Sequence, residues 1–138
     1  MTTLSVMSLE LRGSLLMARR DTTNAKPLFA QARKDEKALG YREPPGYIRP
    51  VGETETASLM LASDWARAEM AYEQALVERP RSGFPLYGIA MCSEKLGDSA
   101  AAAKQCATFL AAWRKADPDL AQITHAQAYL AEHPATKR

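Results

Sequence analysis

The sequence is poor in the residues that would announce a disulfide scaffold, a metal centre or a catalytic base. Its two cysteines, Cys92 and Cys106, accompany no CxxC pair and no Cys/His cluster, so neither a cystine framework nor a zinc site can be built from them. Buried free thiols are the remaining reading. Seven glycines and eight prolines in 138 residues are too few for a linker-rich or collagen-like chain, and a 46% hydrophobic composition is too high for a disordered one. Only two histidines occur, His125 and His133, and sequence spacing positions no companion for either as a base or a ligand. No apolar run approaches a membrane span, and the segment Met1 to Met7 has neither the charged leader nor the apolar stretch of an export signal. The expectation is a cytoplasmic protein without membrane contact.

Concentrated charge is scarce as well. Eighteen basic against sixteen acidic residues leave a formal charge of +2, and the basic residues come singly or in pairs such as Arg19-Arg20 and Arg33-Lys34. Affinity for nucleic acid grows with the number of phosphates neutralised, so this balance argues against a dedicated DNA or RNA binder. The local signatures of phosphate, zinc, acyl and dinucleotide chemistry (GxxxxGK[ST], HExxH, GxSxG, GxGxxG) are missing. No cofactor, metal, small-molecule substrate or catalytic residue is expected.

What the sequence does contain is a repeat. Ser63, Asp64, Ala68, Tyr72 and Ala75 return 34 residues later as Gly97, Asp98, Ala102, Cys106 and Phe109. Shifted back by 43, the last four become Asp21, Ala25, Phe29 and Ala32, so the first interval holds nine extra residues. An Asp ahead of an apolar-periodic run can accept hydrogen bonds from the free amides at a helix start, which predicts N-caps at Asp21, Asp64 and Asp98. The small residue four positions on and the larger one four beyond it share a helical face and alternate in size against a neighbour. Each such helix is preceded by a shorter periodic segment, marked by Leu9/Gly13/Leu16, Gly52/Thr56/Leu59 and Leu86/Ala90/Ser93. Turns are expected at Arg19-Arg20, Ser63 and Gly97, the glycine being the strongest helix stop.

The extra residues fall in Tyr41 to Pro50, where Pro44-Pro45-Gly46 predicts an extended connector and Pro50 opens the next helix. Near the other end, Asp117-Pro118-Asp119 predicts a cap and first-turn proline for a seventh helix carrying Leu120, Ile123, Ala126, Gln127 and Leu130. The tail from His133 onward is expected to fray. Cys106 faces inward, and Phe109 pairs with Trp113 one turn away.

These residues resemble the tetratricopeptide repeat family of the bacterial type. The third repeat carries Leu86, Ile89, Ala90, Gly97, Ala102 and Phe109, and the second Ala68, Tyr72, Ala75 and Pro80, in the family's spacing. The resemblance covers roughly residues 6–116 and departs from the pattern at Pro50, Gly52, Thr56, Ser93 and Cys106. It implies an all-α fold: a right-handed superhelical stack of three helix hairpins plus a C-terminal capping helix, about seven helices in one domain spanning 1–138. Repeat one falls at about 6–39, the connector at 40–49, repeat two at 49–82, repeat three at 83–116 and the capping helix at 118–132.

In that family the first helix of each hairpin lines a concave groove. The matching face holds Met7, Glu10, Ser14 and Met17 on the first helix, Glu53, Ala57, Met60 and Leu61 on the third, and Phe84, Tyr87, Met91, Glu94 and Lys95 on the fifth. Methionine and aromatic side chains suit adaptable recognition of a helix or extended peptide. The resemblance therefore implies a non-catalytic scaffold that binds a protein or peptide. The positions of the family's chaperone-tail carboxylate clamp hold Glu10, Ser14, Thr54, Phe84 and Gly88, so no clamp is present. Two alternatives remain open at this point: a homo-oligomer paired through the outer face around Leu4, Val6, Leu11 and Leu15, and a helical-repeat RNA binder.

Overall fold

The computed structural model describes residues 2–40 and 50–134. The expected extended connector from Tyr41 lies outside the described residues. Within them the chain is all-α, with seven helices and no strand: α1 (Thr3–Ala18), α2 (Thr22–Leu39), α3 (Val51–Leu61), α4 (Trp65–Glu78), α5 (Gly83–Lys95), α6 (Ser99–Ala112) and α7 (Ala121–Glu132). None of these is long and apolar enough to cross a membrane.

The repeated Asp residues mark one turn built three times. The residues just past the ends of α1, α3 and α5, namely Arg20, Ser63 and Gly97, all have positive φ, at 61°, 59° and 81°. Their amides bond back to Met17 (2.8 Å), Met60 (3.0 Å) and Glu94 (3.0 Å). The next amides, of Asp21, Asp64 and Asp98, reach one residue further back to Leu16, Leu59 and Ser93 at 2.9, 3.0 and 3.0 Å. This pair of bonds satisfies the last carbonyls of each helix. The same Asp then starts the following helix: Asp21 Oδ1 accepts from the Asn24 amide at 3.2 Å, and Asp98 Oδ1 from the Ala101 amide at 2.9 Å. Asp64 occupies the equivalent backbone position ahead of α4.

The helices pack as two compact units, residues 1–64 and 65–138, and the boundary falls inside the second sequence repeat. In the first unit, α1, α2 and α3 pack on one another. Val6, Ala25, Phe29, Ala32 and Val51 are fully buried there, each large one contributing about 1.5–3 kcal/mol on removal from water. Phe29 presses on Gly13, where an added Cβ would lie 2.8 Å from its ring, so the close approach of α1 and α2 depends on that missing side chain. The α2–α3 contact is polar. Glu36 accepts from the Val51 amide at 3.2 and 3.3 Å, capping a helix whose own N-cap, Pro50, offers no side-chain acceptor. Arg33 pairs with Glu55 at 2.6 Å. Between α1 and α3, Ser58 donates to Ser14 at 3.0 Å.

In the second unit α4, α5, α6 and α7 pack in chain order, and Leu86, Ala90, Cys106, Phe109, Ile123 and Ala126 form the core. Cys106 is inward-facing as expected, and both cysteines are buried thiols that form no disulfide.

α1 begins at Thr3, where Thr2 and Ser5 cap one another reciprocally. One helix start differs from expectation. α7 begins at Ala121, later than 118, because the Asp117 carboxylate accepts from the Asp119 amide at 3.0 Å and spends the Asp-Pro-Asp segment on a preceding turn.

Candidate binding surfaces

The face predicted on α5 is only partly open. Phe84, 62% exposed, stands edge-on to Trp113 at 5.4 Å between ring centroids. Tyr87 leans inward on Phe109 at 5.3 Å and meets His125 of α7 edge-on at 5.8 Å. Phe109 and Trp113 pair one turn apart at 5.3 Å. From His125 the contacts continue to Tyr129 (6.3 Å) and then His133, stacked on Tyr129 at 4.3 Å. Seven rings on three helices, α5, α6 with its C-cap Trp113 and α7 with its C-cap His133, thus run in unbroken contact from exposed Phe84, through the core, to exposed His133.

At the His133 end lies an open cleft of about 420 Å³ lined by Glu94, His125, Ala128, Tyr129, Glu132 and His133. His125 Nε2 lies 3.2 Å from Glu94 Oε2, giving the imidazole a partner that sequence spacing did not disclose. His133 Nδ1 is 3.2 Å from the Tyr129 carbonyl oxygen. Burial first, then Cys106 and Glu94, raises the phenol of Tyr87, and burial followed by Glu94 raises that of Tyr129, so both remain protonated hydrogen-bonding groups at neutral pH. Two carboxylates, two imidazoles and a phenol around an open space suit a cationic or polar side chain, with the Tyr129 ring available to a guanidinium or ammonium. A Glu–His pair is also what orients an imidazole for base catalysis. The nearby thiol does not complete that constellation, since Cys106 is buried and its pKa is raised by that burial and then by Glu94. Among the described residues no group of three or more His, Cys, Asp or Glu side chains could hold a metal ion.

The remaining predicted face residues separate into two sets. Met91 and Glu94 are half-buried on α5 and Lys95 is exposed; on α3, Glu53, Ala57 and Leu61 are exposed and Met60 is half-buried. On α1, Met7 is 51% exposed, but Glu10 and Met17 are only 6% and 3% exposed. Both belong to the buried side of α1 with Val6 and Gly13, so neither is open to a ligand. Val6, expected on the outer face, is likewise buried. The α1 face that does reach solvent carries Leu4, Met7, Leu11 and Leu15. The signal that could have found the α7 residues is the stripe His125, Tyr129, His133 at successive fourth positions.

No protein-family model, no curated protein and no solved structure matches this chain.

Proposed function

We propose that the protein is a tetratricopeptide-like interaction module that binds a protein through a peptide or helix and performs no catalysis. The observation that carries this reading is the ring run of α5–α7, which offers an exposed aromatic anchor at Phe84 and an acidic, aromatic-walled cleft at its other end. Exposed aromatic and apolar groups beside convergent polar ones are the usual make-up of a recognition surface. The repeated helix–turn–Asp geometry supports the family resemblance on which the non-catalytic reading rests. The favoured ligand places an apolar side chain against Phe84 and a Lys or Arg between Glu94 and Glu132. The test is selection of displayed random peptides on the full chain. Enriched peptides should combine an apolar residue with a basic one, and lose about tenfold in affinity on Phe84→Asp and again on Glu132→Lys, equal to about 1.4 kcal/mol each. Failure to enrich any peptide, or binding indifferent to both changes, would defeat the reading.

A further inference from the structure

The two ends of the ring run differ in charge. At the His133 end stand Glu94 and Glu132, and α7 carries no Lys or Arg. At the Phe84 end the basic residues gather. Arg79 and Arg81 lie on the segment leading into α5, and Arg114 and Lys115 directly follow Trp113, the C-cap of α6.

Packing brings these two segments together. Gly83 lies so close to the Trp113 indole that an added Cβ would fall 1.7 Å from Cε2, and the Phe84 ring stands edge-on to the same indole. The Ser82 amide donates to the Arg79 carbonyl at 3.0 Å, which turns the backbone of Arg79 back toward the start of α5. The Ala116 amide donates to the Trp113 carbonyl at 2.9 Å, which holds Arg114 and Lys115 in a turn beside the indole. All four basic residues are exposed, and none of them forms an ion pair among the described residues. The acids that follow on the second segment are Asp117 and Asp119, and the Asp117 carboxylate already accepts from the Asp119 amide. Basic charge is therefore in excess around the exposed Phe84 ring.

A basic end with aromatic rings also suits a single-stranded nucleic acid. A strand following the rings would carry its phosphates on toward Glu94 and Glu132, where like charges repel them. A peptide can change sign along its length. We infer that the peptide ligand is dipolar: an Asp or Glu beside its apolar residue meets Arg81 and Arg114 while that residue packs on Phe84, and its Lys or Arg enters the cleft at the other end. Phe84 and Glu94 are separated on α5 by about 15 Å of helix axis, a span of about five residues of extended chain. This deepens the peptide-binding reading and rests on it, adding an acidic requirement and a fixed orientation.

The experiment uses the full chain and three fluorescein-labelled synthetic peptides of equal length, each with a Leu and a Gly/Ser spacer of about five residues. The first has an Asp pair beside the Leu and an Arg pair beyond the spacer. The second has Ser in place of Asp, and the third exchanges the Asp and Arg pairs. Fluorescence anisotropy should show the first binding about fivefold more tightly than the second, as two exposed ion pairs would give, and the third binding most weakly. Arg81→Glu combined with Arg114→Glu should remove the advantage of the first peptide over the second, and so should 1 M salt, where the Debye length falls to about 3 Å. Both arginines are exposed, so circular dichroism of the variant should match the wild type. If the first and second peptides bind equally, or the double variant leaves their difference intact, the dipolar ligand is overturned while the peptide-binding reading stands. If no peptide binds, both fall. Labelled oligothymidine binding more tightly than the first peptide would overturn the inference in favour of nucleic acid.

Discussion

Replacing Gly13 by alanine puts the close approach of α1 and α2 to a quantitative test. The added methyl would lie 2.8, 3.0 and 3.1 Å from three atoms of the Phe29 ring, and Phe29 is fully buried with no open side to move toward. Overpacking of this kind costs about 1–3 kcal/mol. The helix gains about 1 kcal/mol from exchanging glycine for alanine, which offsets part of that cost. The net expectation is a loss of about 1 kcal/mol. Gly52, in the first turn of α3, is the control: a Cβ there meets nothing within 4 Å, so Gly52→Ala should stabilise by about 0.5 kcal/mol. Urea unfolding followed by circular dichroism is the appropriate assay, because Trp65 and Trp113 both lie in residues 65–138 and their emission does not report on the unit that holds Gly13. Adding Phe29→Leu to Gly13→Ala should cost less than Phe29→Leu alone, the methyl using space that the ring vacates, with a coupling of about 1 kcal/mol. If Gly13→Ala proves as stabilising as Gly52→Ala, the ring does not limit helix approach and the packing argument fails.

The capping bonds predict that Asp21→Ala and Asp98→Ala each lose about 1 kcal/mol, read as lower unfolding midpoints, whereas asparagine at either position should recover most of the loss. Burial, aided by Glu69, pushes the Cys92 thiol up to about 11, and Cys106 is raised in the same direction. A disulfide reagent at pH 8 would find a thiolate fraction on the order of 0.1% at Cys92, so both thiols should react only on unfolding; rapid native-state labelling would contradict their placement. Glu55 is pushed above its ordinary value near 4.5 by burial, which outweighs Arg33 and Lys26. The folded state therefore holds that proton more tightly than the unfolded chain. The resulting stability is full below the ordinary value and is lost as pH rises through the folded one. Wild-type stability relative to Glu55→Gln should accordingly fall from pH 4 toward neutrality, and a rise over that range would show that the Arg33 pair dominates instead.

The helices were legible in the sequence because their ends are written in single residues. Asp21 and Asp98 cap, Gly97 takes the left-handed turn, and Phe109–Trp113 and the inward Cys106 follow from helical spacing alone. Local chemistry also explains the misjudged start of α7, where Asp117 and Asp119 made a side-chain bond that the apolar pattern does not encode. The binding surfaces were less legible. Face assignment on α1 turned on which side its neighbours cover, and Glu10 and Met17 proved to lie on the covered side. The Glu94–His125 pair joins residues on α5 and α7 that no helical period connects. Pairings across elements depend on how helices pack, whereas caps and turns depend on neighbours along the chain.

The shared turn also says where the chain can change its length. At Arg20-Asp21 and Gly97-Asp98 one residue supplies the left-handed step, and the next both donates its amide to a last-turn carbonyl of one helix, Leu16 or Ser93, and caps the following helix with its side chain. With both duties on a single aspartate, inserting or deleting one residue would separate the stop of the first helix from the start of the second. Such a joint is indivisible, so a change of length is better accommodated between α2 and α3 than at the turn itself. The nine extra residues of the first interval fall there.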